Sequence, residues 1–198
     1  MSEIHEAIEK AQEGEHGEGF NKRIALVIAI LALFLSFSET AGKGAQTEAI
    51  SKNVESSDLW AFFQAKNIRI TQATTAAEEM AVAAAGAADP AVKAAMEKQI
   101  EAWKATAERL KSEPKTGRDE LAEQAKEAVN ERDLYMAKYH HYELSSAAFQ
   151  VGIVLASAAV ITGMIGLAWF AGGLGVIGLV LLALGLFAPH AVPFIAAL

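Results

Sequence analysis

His140 and His141 stand beside Asp133 and Glu143, the nearest thing in this chain to a set of metal ligands. Imidazole and carboxylate are ordinary ligands for zinc and related ions. On a helix His140 and Glu143 share a face. Consecutive histidines, however, point about 100° apart, and the sequence holds no second ligand cluster. The pair therefore reads as ordinary histidines at a boundary, with no metal. His16, in Glu-Gly-Glu-His-Gly-Glu-Gly, reads as a solvated residue. Glu39 is the one acid at the edge of an apolar segment; it is read as a helix-end carboxylate, with ion binding as the sharper alternative. Arg132 lies among tyrosines and wants an acidic partner such as Glu55 or Asp58. The hydroxyls of Ser145, Ser157 and Thr162 are the polar groups available to line a conduit.

Catalytic patterns are missing. There is no GxSxG, no HExxH and no phosphate-binding glycine loop after a strand. Ala-Gly-Gly-Leu-Gly-Val-Ile-Gly superficially resembles a dinucleotide fingerprint, but it falls between apolar helices. The chain has no Cys, which excludes disulfides, thiol catalysis and thiolate metal sites. No catalytic residue, cofactor or enzymatic activity is expected.

The elements that must carry these residues are helices in two solvents. The last charged side chain is Glu143, and the 55 residues from 144 to 198 contain no Asp, Glu, Lys or Arg. A soluble surface cannot be built from such a stretch, whereas lipid accepts it. Its lack of Asp, Glu, Lys and Arg also argues against a pump or coupled transporter. An earlier apolar segment, Ile24–Phe37, is only ~21 Å long as a helix. Extension to Gly42 gives a first span, roughly 23–42, with Glu39 at the interface. The acidic residues ahead of it do not resemble a cleaved signal, so it reads as a retained anchor.

The middle, from Thr40 to Glu143, carries 17 acids and 14 bases. This near balance suggests a solvated helical region and no nucleic-acid surface. Thr47–Ala85 has neither Pro nor Gly and reads as one helix. A heptad seam is drawn through Ile50, Val54, Ser57, Ala61, Gln64, Ile68, Thr71 and Thr75. Trp60, Phe62 and Phe63 form an aromatic patch that one neighbouring helix cannot cover; with Arg132, Tyr135, Tyr139 and Tyr142 they are expected to form an interface with another helix or subunit. Asp89-Pro90 caps a second helix, Ala91–Lys111. Ser112–Gly117 is the next break. A third helix starts near Arg118, with a seam through Leu121, Ala125, Ala128, Arg132, Tyr135, Tyr139, Tyr142, Ser146 and Phe149. It is expected to continue to about 170, with the tyrosines near the membrane boundary. Ala171-Gly-Gly173 is expected to turn the chain into a third span that ends at Pro189 and Pro193. Small residues would let these spans pack closely: Gly152, Ala156 and Gly163 on one helix, Gly178 and Gly185 on the other.

The partition that results is an acidic tail over 1–22, broken by Gly14, Gly17 and Gly19, a first span over 23–42, a helical stalk over 43–146, and a hairpin over 147–198. The fold class is all-α, with three transmembrane helices and a long helical extramembrane stalk. Lys22 and Arg23 before the first span favour a cytoplasmic N-terminus.

Residues 51–69, Ser-Lys-Asn-Val-Glu-Ser-Ser-Asp-Leu-Trp-Ala-Phe-Phe-Gln-Ala-Lys-Asn-Ile-Arg, resemble the signature of an uncharacterised membrane family, domain-of-unknown-function family 4337. The apolar residues of Ser146–Thr162, around Leu-Ala-Ser, resemble its second-span pattern. The resemblance covers most of 20–187. It implies a bacterial inner-membrane protein and brings no activity, cofactor or catalytic residue. The functional expectation is a non-enzymatic homo-oligomeric scaffold, or an accessory subunit of a larger membrane complex, whose partners are the lipid bilayer, copies of itself and possible other membrane subunits. The alternative is an oligomeric pore or channel.

Overall fold

The computed structural model describes residues 2–192, with side chains over 21–192. Among these residues the chain is all-α. It has four helices: α1 (Ser2–Ala85), α2 (Pro90–Ser112), α3 (Arg118–Thr162) and α4 (Ile165–Phe187). They pack as two units, one of Met1–Glu48 with Leu134–Leu198 and one of Ala49–Asp133.

Two expected interruptions of α1 are not found. The helix runs from Ser2 through Gly14, Gly17 and Gly19, and again through Gly42 and Gly44. A glycine inside a helix costs about 1 kcal/mol relative to alanine, which is not enough by itself to end one. At Gly42 an added Cβ would lie 3.4 Å from the Tyr142 Cβ, in ordinary contact with α3.

In the unit of Ala49–Asp133, α2 and the first part of α3 pack on α1. Asp89 caps α2 by accepting a hydrogen bond from the Ala91 N–H at 2.8 Å, with Pro90 in the first turn, as the sequence predicts. The break before α3 contains Lys115 at φ +67° and Gly117, where a Cβ would fall 2.6 Å from the Glu113 carbonyl. The α3 seam is buried at Leu121, Ala125 and Ala128.

The seam drawn on α1 is not the face that packs within the chain. Ile50, Val54, Ser57, Ala61, Gln64, Ile68, Thr71 and Thr75 are all exposed. The covered positions are Ala49, Lys52, Ser56, Leu59, Phe63, Lys66, Ile70, Ala73, Ala77, Met80 and Ala84. These follow the same +3, +4 rhythm on another face. The letters hide it because two lysines lie on it. Each covers the core with its aliphatic stem and ends on a carboxylate. Lys52 reaches Glu131 at 2.7 Å and Glu55 at 2.9 Å, and Lys66 reaches Glu113 at 3.0 Å. Ser56 adds a bond to the Ala125 carbonyl at 3.3 Å.

These pairs set a pH dependence. The hydrogen bond from Lys66, then its charge, then the Thr116 hydroxyl hold the Glu113 carboxyl below its ordinary value of 4.5. A lowered carboxyl contributes stability above its unfolded value, and that contribution is lost as pH falls through the lowered one. Hydrogen bonds to Glu131 and Glu55 raise the Lys52 ammonium, so its contribution is present at neutral pH and lost only in strong alkali. Helicity of the full chain, followed by circular dichroism while pH is lowered from 5, is expected to weaken on heating progressively earlier. Glu113→Gln should flatten that acid limb, and an unchanged limb would remove the pair from the explanation.

The unit of Met1–Glu48 with Leu134–Leu198 is a three-helix bundle. Ile24 on α1 packs with Ala156 and Ala159 on α3 and with Ala171 on α4. Further along, Ala45, Tyr142 and Leu182 make a second cluster. Phe149, fully buried, lies between them with its ring stacked on Phe34 at 6.0 Å.

The hairpin turn is not at Ala171-Gly-Gly173. It is at Gly163-Met164, with Gly163 at φ +69°, and Gly172 and Gly173 lie inside α4 with nothing near a built Cβ. A left-handed backbone position is what glycine permits at a helix end, whereas a Gly pair in an apolar helix does not force a turn. With this turn, the apolar end of α3 has about 19 residues (~28 Å) and α4 has 23 (~35 Å), both near the ~30 Å of a bilayer core. Three helices, counted over Asn21–Ala85, Arg118–Thr162 and Ile165–Phe187, are long and apolar enough to cross a membrane. Only 17%, 33% and 28% of their most apolar windows are covered by the rest of the chain. Pro193 lies outside the described residues.

Candidate functional site

The small residues of the bundle mark where helices touch. A Cβ on Gly152 would meet the Ala171 carbonyl and Leu31 Cδ1, both at 3.3 Å. On Gly178 it would lie 2.7 Å from the Phe149 ring, and on Gly185 2.7 Å from the Tyr142 ring. Ala156 is fully buried. Gly163 belongs to the turn, not to a packing face, and a Cβ there would meet nothing.

Polar groups in this bundle are bonded across helices. Ser38 Oγ donates to the Tyr142 carbonyl at 2.9 Å, and Ser145 Oγ to the Gly178 carbonyl at 2.8 Å. Ser157 and Thr162 donate back along α3, to the carbonyls of Ile153 and Ala158, each at 2.8 Å. All three hydroxyls offered as a pore lining give their proton to a main-chain carbonyl of their own chain; Ser145 is buried between α3 and α4, whereas Thr162 is exposed. His141 is fully buried and places Nε2 3.1 Å from the Pro189 carbonyl, while its Nδ1 has no partner. His140 Nδ1 lies 3.9 Å from Glu143. Among the described residues no group of three His, Asp or Glu is placed to hold a metal.

The tyrosine seam divides. Tyr135 is half-buried and carries the Lys138 ammonium 5.2 Å from its ring centre. Tyr139 is half-buried and packs on the cluster that contains buried Tyr142. Arg132 does not reach Glu55 or Asp58. It pairs with its neighbour Asp133 at 2.7 Å and approaches Asn53 at 3.4 Å. The aromatic patch divides as well: Phe63 turns inward, Trp60 packs edge-on against it at 5.3 Å, and Phe62 is 63% exposed.

Between α1 and α3, where the apolar segments end, is a groove of about 400 Å³. Glu39, Lys43 and Gln46 line it from α1, and Tyr139, Glu143, Ser146 and Gln150 from α3. Gln150 Nε2 donates to Glu39 Oε1 at 3.3 Å. Burial, and then the Glu143 carboxylate, raise the Tyr139 phenol above its ordinary value, which keeps it a hydrogen-bond donor. The sequence singled out Glu39 alone. Its neighbours come from more than a hundred positions away, and only the pairing of the two helices brings them together.

No curated protein and no solved structure matches the chain. The model of one family, described as Domain of unknown function (DUF4337), matches residues 20–188, which include nearly all of the charged helices and all of the apolar ones. The chain belongs to that family.

Proposed function

We propose that this chain is a non-enzymatic integral membrane protein that works as a homo-oligomeric scaffold through a second helix seam on α1. One observation carries the reading. In the unit of Ala49–Asp133, α1 already has a covered face, yet Ile50, Val54, Ala61 and Ile68 repeat at heptad spacing on another and stay open, at 60%, 54% and 56% exposure for the three large ones. Phe62 and Trp60 flank this stripe. An apolar stripe at that spacing is the form in which one helix receives another, as in a coiled coil. The burial of Ser145 between α3 and α4, where it bonds to the Gly178 carbonyl, weighs against a pore lined by Ser145, Ser157 and Thr162. Lys22 and Arg23 beside the first span favour a cytoplasmic N-terminus in a bacterial inner membrane, with the charged helices on the other side.

The absence of Cys makes the test direct. Val54→Cys and Ala61→Cys in the full chain should form disulfide-linked dimers on oxidation in the membrane. Ser56→Cys, on the covered face, should not. Equal crosslinking at all three positions, or none at 54 and 61, would count against the seam. Crosslinks only to unlike chains would make the protein an accessory subunit instead.

A further inference from the structure

We propose that the groove between α1 and α3 at Glu39 binds the headgroup of a zwitterionic phospholipid with a primary amine. Its place is the first argument. Glu39 follows the apolar segment of α1, and Glu143 is the last charge before the uncharged end of α3. One helical turn beyond Gln150, on the same face, Val154 is 66% exposed, and one turn before Glu39 Leu35 is half-buried. A headgroup held here has its acyl chains against apolar side chains at the depth where lipid begins.

Its chemistry is the second. Two carboxylates face one ammonium, Lys43, which meets no carboxylate among the described residues. An ammonium from the ligand would be received by Glu39 and Glu143, and its phosphate by Lys43, with Ser146 as a neutral donor. The lining carries one net negative charge, so a lipid with a net negative head is disfavoured. A trimethylated amine has no N–H to give the carboxylates, so the choline head loses those charge-assisted bonds. A groove of this volume is within the usual ~300–1,000 Å³ of small-molecule sites.

The test uses the full chain in nanodiscs of mixed lipid, with the bound lipid read by native mass spectrometry. Phosphatidylethanolamine should be retained about tenfold over phosphatidylcholine and phosphatidylglycerol, the factor expected for one charge-assisted hydrogen bond. Stepwise N-methylation of the ethanolamine head should weaken retention stepwise, and this arm needs no variant. Glu39→Gln with Glu143→Gln should abolish the preference at unchanged helicity. Equal retention of the three lipids by the natural chain overturns the proposal, as does a preference that survives the double substitution. Full displacement by equimolar soluble phosphoethanolamine would also overturn it, in favour of a free amine phosphate.

Discussion

Gly178→Leu is expected to unfold the hairpin's packing, whereas Gly172→Leu, only six residues earlier, leaves it intact. A Cβ on Gly178 would stand 2.7 Å from Cε1 of Phe149 and 2.9 Å from two more atoms of that ring. The ring cannot swing away, because Phe149 is fully buried and stacked on Phe34. Relief must therefore come from separating α4 from α3, which also breaks the Ser145 bond to the Gly178 carbonyl. Overpacking of this kind costs about 3 kcal/mol. For a chain of this size that is roughly 6–12 °C in the thermal midpoint, measured by scanning fluorimetry in detergent. Gly172 has no atom within 4 Å of its built Cβ and faces outward, where leucine meets lipid. A larger loss at Gly172 than at Gly178 would restore the turn to residues 171–173 and discard the hairpin described above.

The second large effect is expected from Phe149→Ala. The side chain is the largest among those fully buried, and it is where α1, α3 and α4 meet: Phe34 stacks on it and Gly178 opens to receive it. Removing a buried phenyl ring costs about 3–5 kcal/mol, from lost contacts and the cavity left behind. Thermal denaturation should show a midpoint roughly 10 °C or more below that of the natural chain. Phe149→Leu should recover part of it. In contrast, Phe37→Ala removes a ring that is 53% exposed and should change the midpoint little. If Phe149→Ala and Phe37→Ala behave alike, the bundle is not centred on Phe149.

The two predictions rest on features with very different visibility in the sequence. The α2 cap, the break at Ser112–Gly117 and the α3 seam were legible because each is written in local letters: Asp-Pro, Pro and Gly, or small and aromatic residues every third or fourth position. The uncharged 55 residues announced lipid for the same reason. The α1 seam was misread because the largest apolar letters, Ile50, Val54 and Ile68, lie on the open face, while the covered face contains Lys52 and Lys66. Hydrophobicity by residue type cannot register a lysine whose stem is buried and whose ammonium pairs with Glu131 or Glu113. The turn was misplaced because Gly172-Gly173 looks stronger than a lone Gly163, yet only Gly163 has a positive φ. Of the groove the sequence marked Glu39 alone, since its two walls are 104 residues apart at Glu39 and Glu143 and meet only by tertiary pairing.

The misread seam is also what gives the proposed function its surface. A face chosen for its apolar spacing proved not to be the internal one. It remains free for a second copy, with Phe62 and Trp60 at its margin. Phe63 packs inward and Tyr142 is buried in the bundle, so of the residues expected at an interface, Trp60, Phe62, Phe63, Arg132, Tyr135, Tyr139 and Tyr142, the proposed seam takes Trp60 and Phe62 and adds Ile50, Val54 and Ile68.

The most direct test of self-assembly is the mass of the complex extracted into native nanodiscs, with every co-purifying chain identified. The natural chain should run as one defined homo-oligomer, and Val54→Glu with Ile68→Glu should reduce it to monomer at unchanged helicity. A natural chain that is already monomeric, or an oligomer indifferent to both substitutions, would contradict the account.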